Sequence, residues 1–427
     1  MYIQRITIKN LKGFKELDFS FARPEGGYAG WTVLTGDNGS GKTALLKAIA
    51  LALVGPDVGR ALQPSFRGWI REGNTKAEIA VQIVTDDSDK FITGRRPERF
   101  WSELELHRNG GPEVTMKSRS DRRGNKKGPL NGPWAENTGG WFAAGYGPFR
   151  RLYGASPEAQ RLMSGPSRVA RFATMFKEDA TLLECELWLK DLNHKRLEGK
   201  ERETHVLEQV FSLLNDDFLQ NGMRAERVDS DGLWLCDASG TILPLSDMSE
   251  GYRASLALMI DIVRHLDQAY GDYGLVIQEK DHVIVPRPGV VLIDEVDAHL
   301  HPEWQRRIGI WLKERFPRVQ FIVSTHSALV CQAADQRGIF HLPAPGINDA
   351  PFQINEDDYW KIVRSKADEV LLSPAFGLSH TRSPVAVKAR QGYARLKAKK
   401  RAGHLTPAEE GQMHLFQPFV DGDEAGA

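Results

Sequence analysis

Cysteine is scarce in this chain, and its three copies lie far apart. Cys185, Cys236 and Cys331 form no Cys-x-x-Cys pair among the 427 residues. A disulfide framework needs paired cysteines, and a thiolate zinc site needs closely spaced ones. The sequence therefore excludes a disulfide-stapled secreted protein and predicts a location in the reducing cytoplasm.

Long apolar runs and an excess of one charge are also missing. No apolar run reaches the ~18 residues of a membrane-spanning helix, and the first residues are patterned as a strand, not as a signal peptide. The 56 basic residues balance the 56 acidic ones. We therefore expect no membrane partner, and any contact with nucleic acid must come from a local patch.

What is present is a glycine-rich motif between a strand-like and a helix-like run. The apolar run Trp31–Thr35 precedes the motif, and a helical run from Ala44 to Leu53 follows it. The motif fits the pattern G-x-x-x-x-G-K-[ST] of a phosphate-binding loop, and its residues are Gly36, Asp37, Asn38, Gly39, Ser40, Gly41, Lys42 and Thr43. Its glycines allow backbone N–H groups to surround phosphate oxygens at a helix N-terminus. We expect Lys42 to reach the outer phosphates of a nucleotide and the Thr43 hydroxyl to ligate Mg²⁺.

A second motif lies far downstream, where an apolar run ends in two carboxylates. Val290–Ile293 has the pattern of a strand buried on both faces of a parallel sheet, and Asp294 and Glu295 follow it. Ligands of open α/β sheets bind at the carboxyl ends of such strands. We expect Asp294 to hold the Mg²⁺ shell and Glu295 to orient or deprotonate the attacking water.

Two further segments contain candidate phosphate contacts. His326 ends the apolar run that starts at Phe321, and it is either a neutral contact to a γ-phosphate or attacking water, or a hydrogen-bonded loop histidine. Ser249 and Gly251 stand before an apolar helical run from Ala254 to Val263. Exposed N–H groups at a helix start can bind an anion, whereas the simpler alternative is that Ser249 caps the helix.

Taken in order, these motifs resemble those of the ATP-binding-cassette ATPases. The similarity is to the branch with the chromosome-maintenance, recombination-mediator and overcoming-lysogenisation-defect families. The opening from Ile3 to Phe14 is similar to the first strands of that branch, and Asp297–Pro302 is similar to the segment after its Asp-Glu pair. The resemblance covers residues 1–345. Its weakest part is the signature, Met248–Tyr252, which keeps only the serine and the second glycine of Leu-Ser-Gly-Gly-Gln.

The resemblance implies a fold and a mechanism. The fold is of the α/β class, a P-loop NTPase head with an antiparallel β lobe, a short helical insertion and a C-terminal helical extension. Two heads would enclose two ATP molecules with Mg²⁺, so that each phosphate loop faces Ser249 and Gly251 of the other subunit. Glu295 would activate water, and His326 would sense the γ-phosphate.

The family also has a glutamine loop beside the Mg²⁺ site, and this sequence does not place it. The segment from Trp141 to Arg151 lies near the expected position but has no glutamine. Two alternatives stay open: Tyr146 or Arg150 serves there, or the segment is plain lobe structure.

The spacing of the motifs predicts a discontinuous head. Residues 1–65 and 235–345 would form the nucleotide-binding core, residues 66–167 the β lobe and residues 168–234 a short helical insertion. A C-terminal extension over residues 346–427 would follow as a docking region for a partner.

Local patterns agree with this division. Period-two alternation in Ala77–Val84 predicts a lobe strand, and the spacing of apolar residues in Ala180–Leu189 and His205–Leu214 predicts two helices. Thr406–Glu409 is a capping box with proline at the first helical position, so it predicts a short terminal helix.

The short insertion and the missing zinc hook distinguish the chain from long-armed tethering proteins. The residues after His326 also lack the paired-acid strands of a topoisomerase–primase nuclease domain. The chain thus resembles the compact ATPases of bacterial anti-phage operons, such as the Septu ATPases, which act with an HNH-type nuclease. We expect an Mg²⁺-dependent ATPase, as a homodimer or larger homo-oligomer, that regulates a separate nuclease or toxin.

Two other functions are considered. One is a recombination-mediator-like accessory that clamps DNA, for which the basic segments Lys117–Lys127 and Arg382–Ala402 are the candidate surfaces. Both segments are equally explained as a loop and a helix face in solvent. The other is the energy subunit of a membrane transporter, against which the degenerate signature and the long insertion argue.

Overall fold

The order of strands and helices is that of a mixed α/β chain. The computed structural model describes residues 1–93, 96–108, 110–111, 113–119, 127–136, 138–271, 274–279, 282–347 and 349–420. The strands in this part of the chain are β1 (Tyr2–Leu11), β2 (Phe14–Ser20), β3 (Gly30–Thr35), β4 (Lys76–Val84), β5 (Arg99–Arg108), β6 (Val114–Ser118), β7 (Ala143–Tyr146), β8 (Arg224–Asp229), β9 (Gly232–Cys236), β10 (Ile242–Pro244), β11 (Ile277–Glu279), β12 (His282–Ile284), β13 (Gly289–Ile293), β14 (Val319–Ser324), β15 (Ile339–His341) and β16 (Phe352–Gln353). The helices are α1 (Lys42–Leu62), α2 (Lys127–Asn131), α3 (Pro157–Met163), α4 (Ser167–Ala170), α5 (Ala173–Phe176), α6 (Leu183–Leu197), α7 (Glu201–Asn215), α8 (Glu250–Tyr270), α9 (Pro302–Arg315), α10 (Ala328–Cys331), α11 (Glu356–Arg364), α12 (Ala367–Leu372), α13 (Pro384–Arg401) and α14 (Pro407–Phe416).

A six-stranded sheet occupies the centre of the fold, in the order β16-β15-β3-β14-β13-β7. Every neighbouring pair is parallel except β15 and β16. Strands β13 and β14 are buried at every position, as expected for a parallel sheet that is covered on both faces. The predicted α/β fold class is confirmed, and the carboxyl ends of β3, β14 and β13 meet at one edge.

Successive side chains of these strands enter two different cores, because side chains alternate between the two faces of a sheet. Val290 and Leu292 pack in the core that contains α1 and the N-terminal strands. Val291 and Ile293 pack on the other side, in the core that contains α8 and α9. The apolar run that ends in the two carboxylates is therefore fixed from both sides.

The antiparallel lobe is a second sheet, in the order β2-β1-β4-β5-β6. Two of its strands, β1 and β2, lie within residues 1–65, which the sequence assigned to the nucleotide-binding core. Conversely, β7 lies within residues 66–167, which the sequence assigned to the lobe, but it is the edge strand of the central sheet. The two sheets do not follow the predicted boundaries because β1 pairs with β4, although α1 lies between these strands in the sequence. The spacing of the motifs does not reveal such a long-range pairing.

The insertion between lobe and signature contains the two predicted helices. α6 and α7 follow one another through Gly199, which has a φ of 82° and so takes a turn that favours glycine. Within residues 168–234 the structure also places the start of a small antiparallel sheet of β8, β9 and β10. The insertion is thus short and helical in its first part only.

The C-terminal extension joins the body through β16, α11 and α12. Tyr359, Ile362 and Val370 belong to the same core as α8 and α9. α13 and α14 form a helical hairpin, and Thr406 and Glu409 make the predicted capping box at the start of α14. The acidic end over 421–427 lies outside the described residues. No helix in the described part of the chain has the length and apolarity needed to span a membrane.

Candidate functional site

The phosphate loop connects the end of β3 to the start of α1, as predicted. Gly36 has a φ of 134°, and a Cβ atom there would lie 2.2 Å from the carbonyl oxygen of Leu342. Gly41 has a φ of 99°, and a Cβ atom would lie 2.7 Å from the ring of Phe14. Both positions therefore require glycine, for backbone conformation and for space.

Lys42 is the first residue of α1 and lies back across the loop. Its Nζ donates to the carbonyl oxygens of Gly36 at 2.7 Å and Asp37 at 3.0 Å. Burial lowers the pKa of the Lys42 amine, while the carboxylates of Asp294 and Glu295 oppose that shift. The amine is thus held over the loop by two of the loop's own carbonyl oxygens.

Thr43 and Asp294, far apart in sequence, are in direct contact. The Thr43 hydroxyl donates to Oδ2 of Asp294 at 2.6 Å. Ser324, the last residue of β14, donates from its hydroxyl to Oδ1 of the same carboxylate. Its hydroxyl also accepts from the backbone N–H of Glu295 at 2.8 Å. Sequence reasoning missed Ser324, although its place at the end of an apolar strand was a usable signal.

The segment after β7 lies beside the two acids, at the position where the glutamine loop was expected. The N–H of Asp294 donates to the carbonyl oxygen of Tyr146 at 2.8 Å. Arg150 is only 3% exposed, and its Nη1 donates to the carbonyl oxygen of Asp294 at 2.8 Å. The segment therefore contacts the Asp-Glu turn, and a role for Tyr146 or Arg150 beside the Mg²⁺ site stays a prediction.

His326 lies two residues after the end of β14 and is exposed. Next to it, the Thr325 hydroxyl donates to Oδ1 of Asp297 at 2.5 Å, which ties this loop to the turn after the Asp-Glu pair. Glu295 is also exposed, whereas Asp294 is buried. The structure thus brings His326 to the same sheet edge as the acids, with its imidazole on the surface.

Ser249 and Gly251 lie at the start of α8, and Ser249 caps the helix by accepting from the N–H of Tyr252 at 3.5 Å. Together with His299 they line a cavity of about 300 Å³, and none of the eight phosphate-loop residues lines it. A Cβ atom on Gly251 would lie 2.3 Å from the carbonyl oxygen of His299. Within one chain, the signature therefore lies against the turn after the Asp-Glu pair and forms a site separate from the phosphate loop.

Comparison with known proteins places these motifs in a family context. A family described as an AAA domain, with the AbiEii toxin and a Type IV TA system named in its description, matches residues 187–332. A second family described as an AAA domain matches residues 5–131. The Septu protein PtuA of Bacillus mycoides (strain KBAB4) is 25% identical over 341 residues, which are 77% of this chain and 38% of PtuA. Two parts of the chain thus match AAA-domain families, and the chain resembles PtuA.

Two further relatives match parts of this chain. The Septu protein PtuA of Bacillus thuringiensis is 30% identical over 193 residues, 44% of this chain and 46% of that protein. The "Retron Ec83 probable ATPase" of Escherichia coli is 36% identical over 108 residues, 25% of this chain and 18% of that protein. The chain spans less than half the length of each of these relatives. Among solved structures, an Smc head bound to the C-winged helix domain of ScpA has a TM-score of 0.48 and 17% identity, covering 84% of this chain and 100% of that one.

The structure has a second cavity, of about 400 Å³, beside the phosphate loop. Gly39 and Ser40 line one side, and the β1–β2 turn, Arg71 and residues 343–347 and 349–351 line the others. The Ser40 hydroxyl oxygen is buried and has no hydrogen-bond partner among the described residues. Sequence reasoning did not find this cavity, because its walls come from four distant parts of the chain.

The predicted basic segments have less free charge than the sequence suggested. In the first, residues 120–126 of Lys117–Lys127 lie outside the described residues, and Arg119 forms ion pairs with Glu78 and Glu105. In the second, two lysines of α13 pair with acids of α14, Lys399 with Glu409 and Lys400 with Glu410. The segment from Arg382 to Ala402 itself contains no acidic residue.

Proposed function

We propose that this chain binds ATP with Mg²⁺ at the phosphate loop and hydrolyses it as a head-to-head dimer. The observation that carries the proposal is the 2.6 Å contact between the Thr43 hydroxyl and the Asp294 carboxylate. Lys42 precedes Thr43 in the chain, and Glu295 follows Asp294. Such a grouping of hydroxyl, carboxylate, amine and free acid suits the transfer of a phosphoryl group to water.

The residues present fit Mg²⁺ held together with a nucleotide. The described residues contain no cluster of three or more His, Cys, Asp or Glu side chains able to hold a metal alone. Mg²⁺ typically uses one or two protein oxygens together with waters and substrate phosphates, and Thr43 and Asp294 provide two such oxygens. When bound, the ion would neutralise negative charge that develops on the phosphates.

The remaining residues of the loop would orient the phosphates. The backbone N–H groups from Asp37 to Gly41 and the positive end of α1 would bind their oxygens, and the Lys42 amine would hold the outer ones. The nucleoside part would lie in the 400 Å³ cavity beside Gly39 and Ser40. Glu295 would then take a proton from the attacking water, and His326 would contact the γ-phosphate.

The dimer is proposed from the separation of the two halves of the site. Ser249 and Gly251 line their own cavity in one chain, so they would act on the nucleotide of a second copy. Each subunit would thus complete the site of its partner, and ATP would hold the two heads together.

The output of this cycle is proposed to be control of a separate effector in anti-phage defence. The similarity to PtuA and to a retron ATPase supports this role. An HNH-type nuclease or a toxin is the effector that we propose. The cytoplasm is the proposed location, and the three cysteines, all free and buried, suit a reducing compartment.

The test is to recover the Glu295→Gln protein from its native cells with ATP present and to identify what accompanies it. The substitution removes the base and leaves Thr43 and Asp294 unchanged, so ATP should stay bound while hydrolysis falls by about 100-fold or more. We expect a nuclease or toxin-like protein in the ATP-held complex. Lys42→Ala is the control, since it should not hold ATP and should lose the partner.

Other outcomes would change the assignment. A Glu295→Gln protein that hydrolyses ATP at the unmodified rate contradicts the proposed site. Recovery of only DNA with replication or repair proteins would favour the second candidate function, a DNA clamp. The observation that favours this alternative is the row of exposed cations on α13, such as Lys388, Arg395 and Arg401.

A further inference from the structure

We propose that Arg150 is a positioning residue, which fixes the direction of the Glu295 carboxylate by holding the backbone of the Asp-Glu turn. The proposal deepens the proposed ATP hydrolysis and rests on it. Arg150 would affect hydrolysis only through the turn over residues 294–298, without contacting the nucleotide.

The guanidinium of Arg150 is bound almost entirely by backbone carbonyl oxygens. Its Nη1 donates to Gly147 at 3.0 Å and to Asp294 at 2.8 Å. Its Nη2 donates to Glu295 at 3.0 Å, with longer contacts to Val296 at 3.5 Å and Ala298 at 3.4 Å. A planar fork with several fixed donors is suited to hold several carbonyls at once, which a lysine amine is not.

The turn that Arg150 holds has an unusual backbone. Glu295 has a φ of 46°, a left-handed conformation that costs about 1–2 kcal/mol for a residue with a side chain. Such conformations persist only where surrounding contacts over-determine them. Here the Glu295 carbonyl oxygen is held by Arg150, and the Glu295 N–H is held by the hydroxyl of Ser324. Loss of one of these contacts would let the peptide relax and turn the carboxylate away.

The charge of Arg150 suits its place among acids. Burial lowers the pKa of Arg150 to about 10, and the carboxylates of Asp297, Asp294 and Glu295 oppose that shift. The guanidinium is therefore still protonated near pH 7. Its removal would leave the turn carbonyls without donors and the acids without a compensating cation.

Tyr146, the last residue of β7, connects the Asp-Glu turn to α8, the helix that begins at the signature. Tyr146 accepts the Asp294 N–H through its carbonyl oxygen at 2.8 Å, and its hydroxyl donates to Oδ2 of Asp261 on α8 at 3.0 Å. Asp261 is also bound by Arg264 at 2.7 Å. A chain of buried contacts therefore runs from α8 through the segment after β7 to the catalytic carboxylates.

The first measurement compares Arg150→Lys and Arg150→Gln with the unmodified protein. We expect both variants to bind a non-hydrolysable ATP analogue within about threefold of the unmodified Kd, while single-turnover hydrolysis falls about 100-fold, as for a small misplacement of a catalytic group. The matched control is Arg171→Lys, which changes another buried arginine, packed on the ring of Phe142. It should alter thermal unfolding without slowing hydrolysis. Either Arg150 variant that hydrolyses at the unmodified rate overturns the proposal.

The second measurement separates positioning from general damage. Residues that act as one unit have non-additive effects on rate, so Arg150→Lys should cause no further loss in a Glu295→Gln background. A further loss of the full 100-fold in the double variant would contradict an action through Glu295. If Glu295→Gln itself leaves hydrolysis unchanged, the proposed function fails, whereas an effect of Glu295→Gln with none of Arg150→Lys rejects this inference alone.

Discussion

At the scale of single residues, the site depends on contacts between side chains that are distant in sequence. Thr43 is at the start of α1, Asp294 follows β13 and Ser324 ends β14, yet two hydrogen bonds link all three. They meet because β3, β14 and β13 are neighbours in the sheet. The chemistry of the motif residues was predictable from the sequence, but their mutual distances were not.

The first prediction at this scale concerns Lys42. Lys42→Ala removes the amine that is proposed to hold the outer phosphates, and a charge-assisted hydrogen bond contributes about 1.5–3 kcal/mol. We expect the Kd for ATP to rise about 10- to 100-fold, measured by calorimetry. Lys361→Ala, which removes an exposed lysine of α11, should leave the Kd unchanged. Equal binding by both variants would place the nucleotide elsewhere.

The contacts of Arg150 and Ser324 were not predicted from the sequence. The sequence left Arg150 open between a role beside the Mg²⁺ site and plain lobe structure, and it gave Ser324 no role. Both residues form hydrogen bonds with backbone atoms of the Asp-Glu turn. Backbone atoms are the same for every sequence, so a pattern of side chains does not reveal such partners.

At the scale of elements, α1 is the helix on which the phosphate loop rests, and it bends at Gly55 and Pro56. Gly55 has a φ of 82°, and Pro56 cannot donate to the carbonyl oxygen of Ala52, four residues earlier. That oxygen instead accepts from the indole N–H of Trp134 at 3.0 Å and from the hydroxyl of Ser102. Side chains of the lobe therefore satisfy the carbonyl oxygen that the bend leaves without a helical partner. These contacts fix the direction of α1 relative to the lobe sheet.

We predict that Gly55→Ala destabilises the protein more than the same change at a glycine that also has a positive φ but open space around it. A Cβ atom at Gly55 would lie 2.7 Å from the ring of Trp134, whereas Gly68, with a φ of 76°, has nothing within 4 Å. Gly55→Ala should lower the free energy of unfolding by about 2–5 kcal/mol. Gly68→Ala should lower it by about 1–2 kcal/mol, both measured by urea denaturation. Equal effects would mean that Trp134 moves freely.

At the scale of the whole molecule, the division of the site between two cavities is the basis of the proposed dimer. Ser249 and Gly251 lie with His299, apart from the phosphate loop. Their neighbour in the structure is the turn that Arg150 holds, so a phosphate bound at α8 would act close to the Asp-Glu turn of the same chain. Such an arrangement would couple occupation of one site to the geometry of the other.

The prediction at this scale is that Ser249→Arg prevents the ATP-dependent dimer. A bulky cation would fill the cavity at the start of α8, where the proposed partner nucleotide binds. We expect the Glu295→Gln protein to form a dimer with ATP in light-scattering chromatography, and the Ser249→Arg, Glu295→Gln double variant to stay monomeric. Ser118→Arg, an equal change on an exposed residue of the lobe strand β6, should leave the dimer intact. Dimerisation of the Ser249→Arg double variant would remove Ser249 from the interface.

By itself, the sequence determined the fold class, the phosphate loop, the strand that ends in Asp294 and Glu295 and the helices of the insertion. These features follow from local rules of spacing, capping and alternation that act over about ten residues. Only the tertiary structure decided that β1 and β2 join the lobe, that β7 joins the central sheet and that Arg150 binds the Asp-Glu turn. Each of these depends on which distant segments pair and on which backbone atoms a buried side chain meets, and the packing of the whole chain settles such choices.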